Sequence, residues 1–304
     1  MPTAGHLLAI LSTCLYFSGL VYFKVSTAHM PALGGLRPRQ LARELAGDRT
    51  WTAGAALVGT GACVQAAALA RLSICQAQPM FLAGLVALVL LAVVALGERL
   101  TPREWGCVLL LAAATILFVR ACAGTATKVS VHTEPPSPAL VVTVALASLA
   151  VPVTAFLAGE LSRTGVHARP LTGVALATNV GLLTGTAELM LTGAAALGPD
   201  PRALATAPYL YLFVLTAPLA LGQLQIALQR SRLVIVGLVA TATAKTYLFV
   251  MAMALYGKPW LGDHGQAALA LALSVLAVTA VPHHERPAGP AARHDGPFVQ
   301  RRST

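Results

Sequence analysis

Nine long apolar runs alternate with shorter polar ones along this chain of 304 residues. They cover roughly 6–24, 51–70, 74–96, 104–120, 139–158, 171–195, 207–228, 233–256 and 265–281. Each run is near the ~20 residues that a helix needs to cross a bilayer core. The pattern therefore predicts an all-α, polytopic membrane protein with about nine transmembrane helices. Three stretches stay polar: 25–50, 121–138 and the end from 282. The last, PHHERPAGPAARHDGPFVQRRST, mixes Pro, Gly, Arg and His without periodicity and reads as a disordered cytoplasmic tail, its histidines solvated.

The third and fourth runs are joined by VALGERLTPREWG, residues 94–106. Gly97 stands where a C-terminal glycine ends a helix. Thr101, Pro102 and Glu104 fall at N-cap, N1 and N3 of the next helix, a T-x-x-E capping box with proline at its favoured place. Trp105 follows at headgroup depth. The stretch predicts a tight interfacial hairpin whose charges cap and anchor rather than catalyse.

Composition agrees. Hydrophobic residues make up 57% of the chain and charged ones 11%, against ~25% charged in soluble domains, and the mean hydropathy is +0.73. Aromatics are sparse at 6%; the apolar mass is Ala, Leu, Val and Gly, which suits closely packed membrane helices. Positive residues collect in cytoplasmic loops. With the N-terminus outside, 15 of the 21 Lys and Arg fall in inner segments, five in outer ones, and Lys245 within a helix. This predicts N-out, C-in insertion. The net charge of +10 then reflects topology and contact with anionic membrane lipid, not nucleic-acid binding. The first run lacks a basic leader, is long for a signal peptide and is followed by Lys24, so it reads as a retained helix. Cys14, Cys63, Cys75, Cys107 and Cys122 are scattered singly and form neither metal spacing nor a disulfide framework.

The chain carries a weak internal repeat. ALARLSICQAQPMFLAGLVALVLLAVVALGER, from residue 68, matches ALQRSRLVIVGLVATATAKTYLFVMAMALYGKP, from residue 227, with Arg71 opposite Arg230. AILSTCLYFSGLVYF, from residue 9, matches ALATNVGLLTGTAEL, from residue 175, with Gly19 opposite Gly185. Helices 1–4 thus resemble helices 6–9. An offset of five helices makes the halves opposite in orientation, the inverted repeat found in secondary transporters. The expected divisions are 1–120 (first repeat), 121–165 (linker and helix 5), 166–281 (second repeat) and the tail 282–304.

Against this background GERLTPREWGCVLLLAAATILFV resembles the hairpin ending the first half of EamA-type proteins in the drug/metabolite transporter superfamily, and QAAALARLSICQAQPM resembles the helices before it. The basic loop 25–50 followed by WTAGAALVGTGACVQAAAL resembles the nine-helix branch that includes NIPA-type magnesium transporters. The resemblance implies a transporter in the plasma membrane with its pathway between the repeats, and leaves the substrate open.

Polar groups inside a bilayer are costly and each needs a reason. Glu188 is the deep carboxylate and Lys245 the deep cation; at 1.5 Å per residue their depths from the outer helix ends are roughly 12 and 16 Å, close enough to pair. They are expected to form an ion pair on the cavity wall, breakable by substrate or by a coupling proton, or else a static pair. Asn179, Gln65, Gln223 and Gln225 are expected to hydrogen-bond substrate or bridge helices. Tyr16, Tyr22 and Tyr247 are pathway or packing residues. Gly181 and Gly185 form G-x-x-x-G and mark close helix contact. Gln76, Gln78 and Pro79 open the third helix. No Ser/His/Asp set, HExxH, phosphate loop or ATP-binding motif appears, so neither an enzyme nor a cofactor is expected. The expected function is secondary transport of a small organic solute, coupled to a proton or another ion. A NIPA-like divalent-cation pathway and a non-transport scaffold are the alternatives.

Overall fold

The computed structural model describes residues 4–30, 38–72, 74–123, 137–161, 173–198, 200–256 and 264–281. The tail from 282, most of the 121–138 linker and the side chains of Gln76, Gln78 and Pro79 lie outside that description. The described residues form eleven helices: α1 (Ala4–His29), α2 (Pro38–Gly47), α3 (Arg49–Leu69), α4 (Ile74–Leu96), α5 (Pro102–Ala123), α6 (Pro138–Leu161), α7 (Gly173–Ala196), α8 (Pro201–Thr206), α9 (Tyr209–Arg230), α10 (Leu233–Tyr256) and α11 (His264–Ala280). Every apolar run of the sequence lies on one of these helices. Six of them, α1, α3, α5, α6, α7 and α9, are long and apolar enough to cross a membrane, with shorter apolar stretches at Gly84–Leu96, Leu233–Leu248 and Gly265–Ala280. The chain is a multi-pass helical membrane protein.

Two helices were not expected from the sequence. The stretch 25–50, expected to be a polar loop, contains α2, in which Leu45 is buried. Charged residues around two leucines lower the average hydropathy and hide so short an amphipathic turn. The other is α8, capped by the Asp200 carboxylate, which accepts from the Arg202 N–H. The first apolar helix also runs past its expected end, so Lys24 lies inside α1.

Packing follows the small residues. α1 runs along α3 and also touches α4; α7 runs along α9 and along α10; α5 packs on α11, and α4 on α5. At Gly181 an added Cβ would sit 2.7 Å from the Ala240 carbonyl, and at Gly185 2.8 Å from that of Ala244. The G-x-x-x-G pair therefore seats α7 on the backbone of α10. Gly19 meets a different kind of partner: its Cβ would press on Val58 and the Gly54 carbonyl of α3. The alignment of Gly19 with Gly185 is thus not a structural equivalence: leaving the short α2 and α8 aside, Gly19 of α1 faces the next apolar helix, α3, whereas Gly185 of α7 faces the second one on, α10. Of the six long spans α7 is the most enclosed, with 67% of its apolar window buried against 17% for α3. Outward side chains such as Leu7, Leu11, Val86, Leu90, Val94 and Leu109 are 49–77% exposed, a surface suited to lipid.

Several charged helix ends meet one another. The 94–106 hairpin forms as its residues dictate: Gly97 takes φ +66°, Thr101 N–H donates to Glu104 Oε2 at 2.7 Å, and Glu104 N–H donates to Thr101 Oγ1 at 3.4 Å. Glu98 then reaches across to α10, accepting from Leu233 N–H (2.8 Å) and Val234 N–H (3.1 Å). Arg232 pairs with Glu104 and donates to the Arg99 carbonyl. Lys24 donates to the carbonyls of Leu228 and Ser231. The Ser26 hydroxyl donates to Asp48, the N-cap of α3, and Phe23 stacks on Trp51. A Cβ on Gly173 at the start of α7 would strike Ser231. Segments that the charge count assigns to one side of the membrane therefore do meet.

Candidate functional site

Away from these ends, a cavity of about 80 Å³ opens between α1, α3, α7 and α10. Its polar wall comes from stripes of one-turn spacing: Ser12 and Tyr16 on α1, Gln65 on α3, Thr184, Glu188 and Thr192 on α7, and Thr241 and Lys245 on α10. Residues four apart lie on one helix face, so each helix presents its few polar groups together and turns its apolar face to neighbours or lipid. The apolar floor includes Ala9, Phe17, Ala244 and Leu248.

Lys245 Nζ donates to Glu188 Oε2 at 2.5 Å, with 14% and 16% of the two side chains exposed. The contact follows from the helix packing: Gly181 and Gly185 bring α7 against Ala240 and Ala244, and Glu188 and Lys245 come one turn or less further on. The remaining wall is partly occupied by local bonds. Ser12 Oγ donates to the Gly61 carbonyl and ties α1 to α3, while Thr13 and Thr192 donate to the carbonyls of Ala9 and Glu188. The cavity thus offers one anionic and one cationic group, already paired, with an amide, a phenol and hydroxyls around them. Such a wall can exchange an internal ion pair for contacts to a polar guest, or release Lys245 when Glu188 takes a proton.

Of the residues singled out from sequence, Glu188, Lys245, Gln65 and Tyr16 meet at the cavity. The others lie elsewhere. Asn179 is buried and donates to the Pro152 carbonyl of α6. Tyr247 O–H bonds to Ser148 Oγ of α6 at 2.5 Å. These two side chains fasten α6, which carries an internal proline, to α7 and α10. Gln223 and Gln225 are buried in α9 away from the cavity, and Tyr22 is 44% exposed. Sequence reasoning missed Ser12, Thr184, Thr192 and Thr241. The signal was present as i, i+4 polar stripes within apolar runs, but hydroxyls usually satisfy their own helix and so draw little notice. Among the described residues no three His, Cys, Asp or Glu side chains cluster as a metal site.

Comparison of the chain with protein-family models, with curated proteins and with solved structures gives no match.

Proposed function

We propose that this chain is a secondary transporter of the drug/metabolite type, moving a small organic solute across the plasma membrane by alternating access. The observation that carries this reading is the cavity itself: it lies between α1/α3 and α7/α10, within the apolar part of the bundle, and holds the paired Glu188 and Lys245. Intramembrane ionisable pairs facing a cavity are the usual mark of a solute or ion pathway.

The helix contacts support an inverted repeat of α1, α3, α4 and α5 with α7, α9, α10 and α11. The pairs α1–α3, α1–α4 and α4–α5 have counterparts in α7–α9, α7–α10 and α10–α11. The cross-contact α1–α9 has its counterpart in α3–α7, and α4–α10 and α5–α11 join equivalent helices. With nine spans the termini lie on opposite sides, and the positive residues favour N-out.

The chemistry of the wall narrows the solute. A guest of net charge leaves either Glu188 or Lys245 without a partner in a low-dielectric site, which is expensive. A net-neutral guest, zwitterionic or rich in hydroxyl and amide groups, keeps both satisfied. A coupling proton would act at Glu188. A magnesium pathway is less well served, since Mg²⁺ takes oxygen ligands and keeps its waters, whereas here the one carboxylate in the wall carries an ammonium.

The test is a melting-temperature screen of purified protein in detergent against amino acids, nucleosides, cationic drugs and Mg²⁺, with Glu188→Gln in parallel. A guest that binds only the folded state raises the melting temperature by mass action. The expected result is a shift with a net-neutral solute that the variant loses. A shift with Mg²⁺ alone would favour the cation pathway, and a flat panel would favour a scaffold.

A further inference from the structure

The turn between α9 and α10 sits in a socket of opposite charges. α9 ends at Arg230 and α10 begins at Leu233, so two helix ends lie side by side. The last carbonyls of one and the first N–H groups of the other have no partner within their helices, and they carry partial charges of opposite sign. Groups at both ends are bonded from the other half of the molecule. Lys24 of α1 donates to the Leu228 and Ser231 carbonyls at 2.6 and 2.7 Å. Glu98, after α4, takes the N–H groups of Leu233 and Val234, one on each carboxylate oxygen. Arg232 at the tip pairs with Glu104 and bonds to the Arg99 carbonyl, and Gln229 donates to the carbonyls of Thr27 and Met30. The partners in these contacts are 128 to 207 residues apart in the chain.

We propose that this clasp is the gate of the transport path at the end remote from the cavity, held by Glu98 and Lys24 on the α9–α10 turn. The proposal rests on the alternating-access reading and adds which contacts must break. Two arguments carry it. The clasp consists of hydrogen bonds and the Arg232–Glu104 ion pair, groups that water can also satisfy, so exchanging them for water has a small net change; the apolar layer beside it, with Phe23, Leu88, Leu228 and Leu233, must part with it. And the helices that form it also form the site: α1 carries Tyr16 and Lys24, α10 carries Lys245 and the N–H groups that Glu98 holds. The separations along the helices are about 12 Å on α1 and 18 Å on α10. A guest that shifts α10 against α1 at the cavity therefore strains the clasp.

The experiment uses the full chain with its five cysteines replaced and Thr241→Cys placed in the cavity wall. A membrane-impermeant maleimide is applied from each side, in right-side-out cells and in inverted vesicles. In the parent the cysteine should label from the cavity side. Glu98→Gln should raise labelling from the clasp side by about tenfold, the effect of losing a charge-assisted hydrogen bond on a two-state equilibrium. Lys24→Met and Arg232→Gln release the same turn from other directions and stand in if Glu98→Gln fails to fold, as judged by gel filtration. Unchanged labelling from the clasp side in all folded variants overturns the gate and leaves the transporter reading intact. A cysteine that labels from neither side in any of them overturns both.

Discussion

Glu188 and Lys245 are each intelligible only through the other. Either charge alone would be expensive to hold where it lies, and their 2.5 Å contact removes most of that expense. Removing one partner should therefore be worse than removing both. Lys245→Met is expected to destabilise by about 3 kcal/mol, the low end for a buried pair because both side chains are partly exposed. The Glu188→Leu/Lys245→Met double variant should recover at least half of that loss in thermal or denaturant unfolding. If it also retains solute-dependent shifts in melting temperature, the pair only supports the structure and the guest binds the hydroxyl and amide groups instead. Tyr16 and Gln65 complete the wall, while Asn179 and Tyr247 serve α6. No residue-type rule separates these fates: all four are polar groups in apolar helices, and which face of the helix each occupies decides.

At the scale of the element, local chemistry is legible wherever a helix end has its own signals. The α4–α5 hairpin forms its glycine stop and capping box as its residues require. Asp48 is a similar device at the start of α3. Burial alone would raise its pKa, but hydrogen bonds from the Trp51 N–H, the Ser26 hydroxyl and the Thr50 N–H outweigh this and hold the carboxyl below its ordinary value of 3.8. A depressed carboxylate pKa contributes stability that is present above the ordinary value and is lost as pH falls through the folded one. Asp48→Ala should cost about 1 kcal/mol at neutral pH. Asp48→Asn should keep much of the cap and remove that part of the acid sensitivity, which unfolding curves between neutral and about pH 3 would reveal. What element-level signals miss is capping in trans. Glu98 lies two residues past the end of α4, yet it caps α10, 135 residues away in the chain.

For the whole molecule, the clearest regularity is that charged loops assemble. Contacts join the end of α1, the start of α3, the α4–α5 hairpin, the start of α7 and the α9–α10 turn. The stretches of sequence at these helix ends, 24–50, 97–103, 162–172 and 230–232, hold 11 of the 21 Arg and Lys. If these ends face the cytoplasm, single cysteines at exposed Arg43 and Arg103 should react with an impermeant thiol reagent only after permeabilisation. One at exposed Arg202 should react in intact cells. The reverse pattern would invert the molecule and place the cavity on the cytoplasmic side.

The sequence by itself determined the class and the skeleton. Runs of apolar residues near bilayer length specify membrane helices because a backbone in lipid must satisfy its hydrogen bonds internally, and caps and glycines specify where several of them stop. It also marked Glu188 and Lys245, since charges inside such runs are rare enough to stand out. It did not determine which polar faces converge, because an apolar helix in a bilayer has no wet side from which its orientation can be read. Those choices belong to tertiary packing. Small residues on α7 and α10 set the close approach that joins Glu188 to Lys245. The same packing brings the helix ends near enough for Lys24 and Glu98 to hold the α9–α10 turn from the far half of the chain.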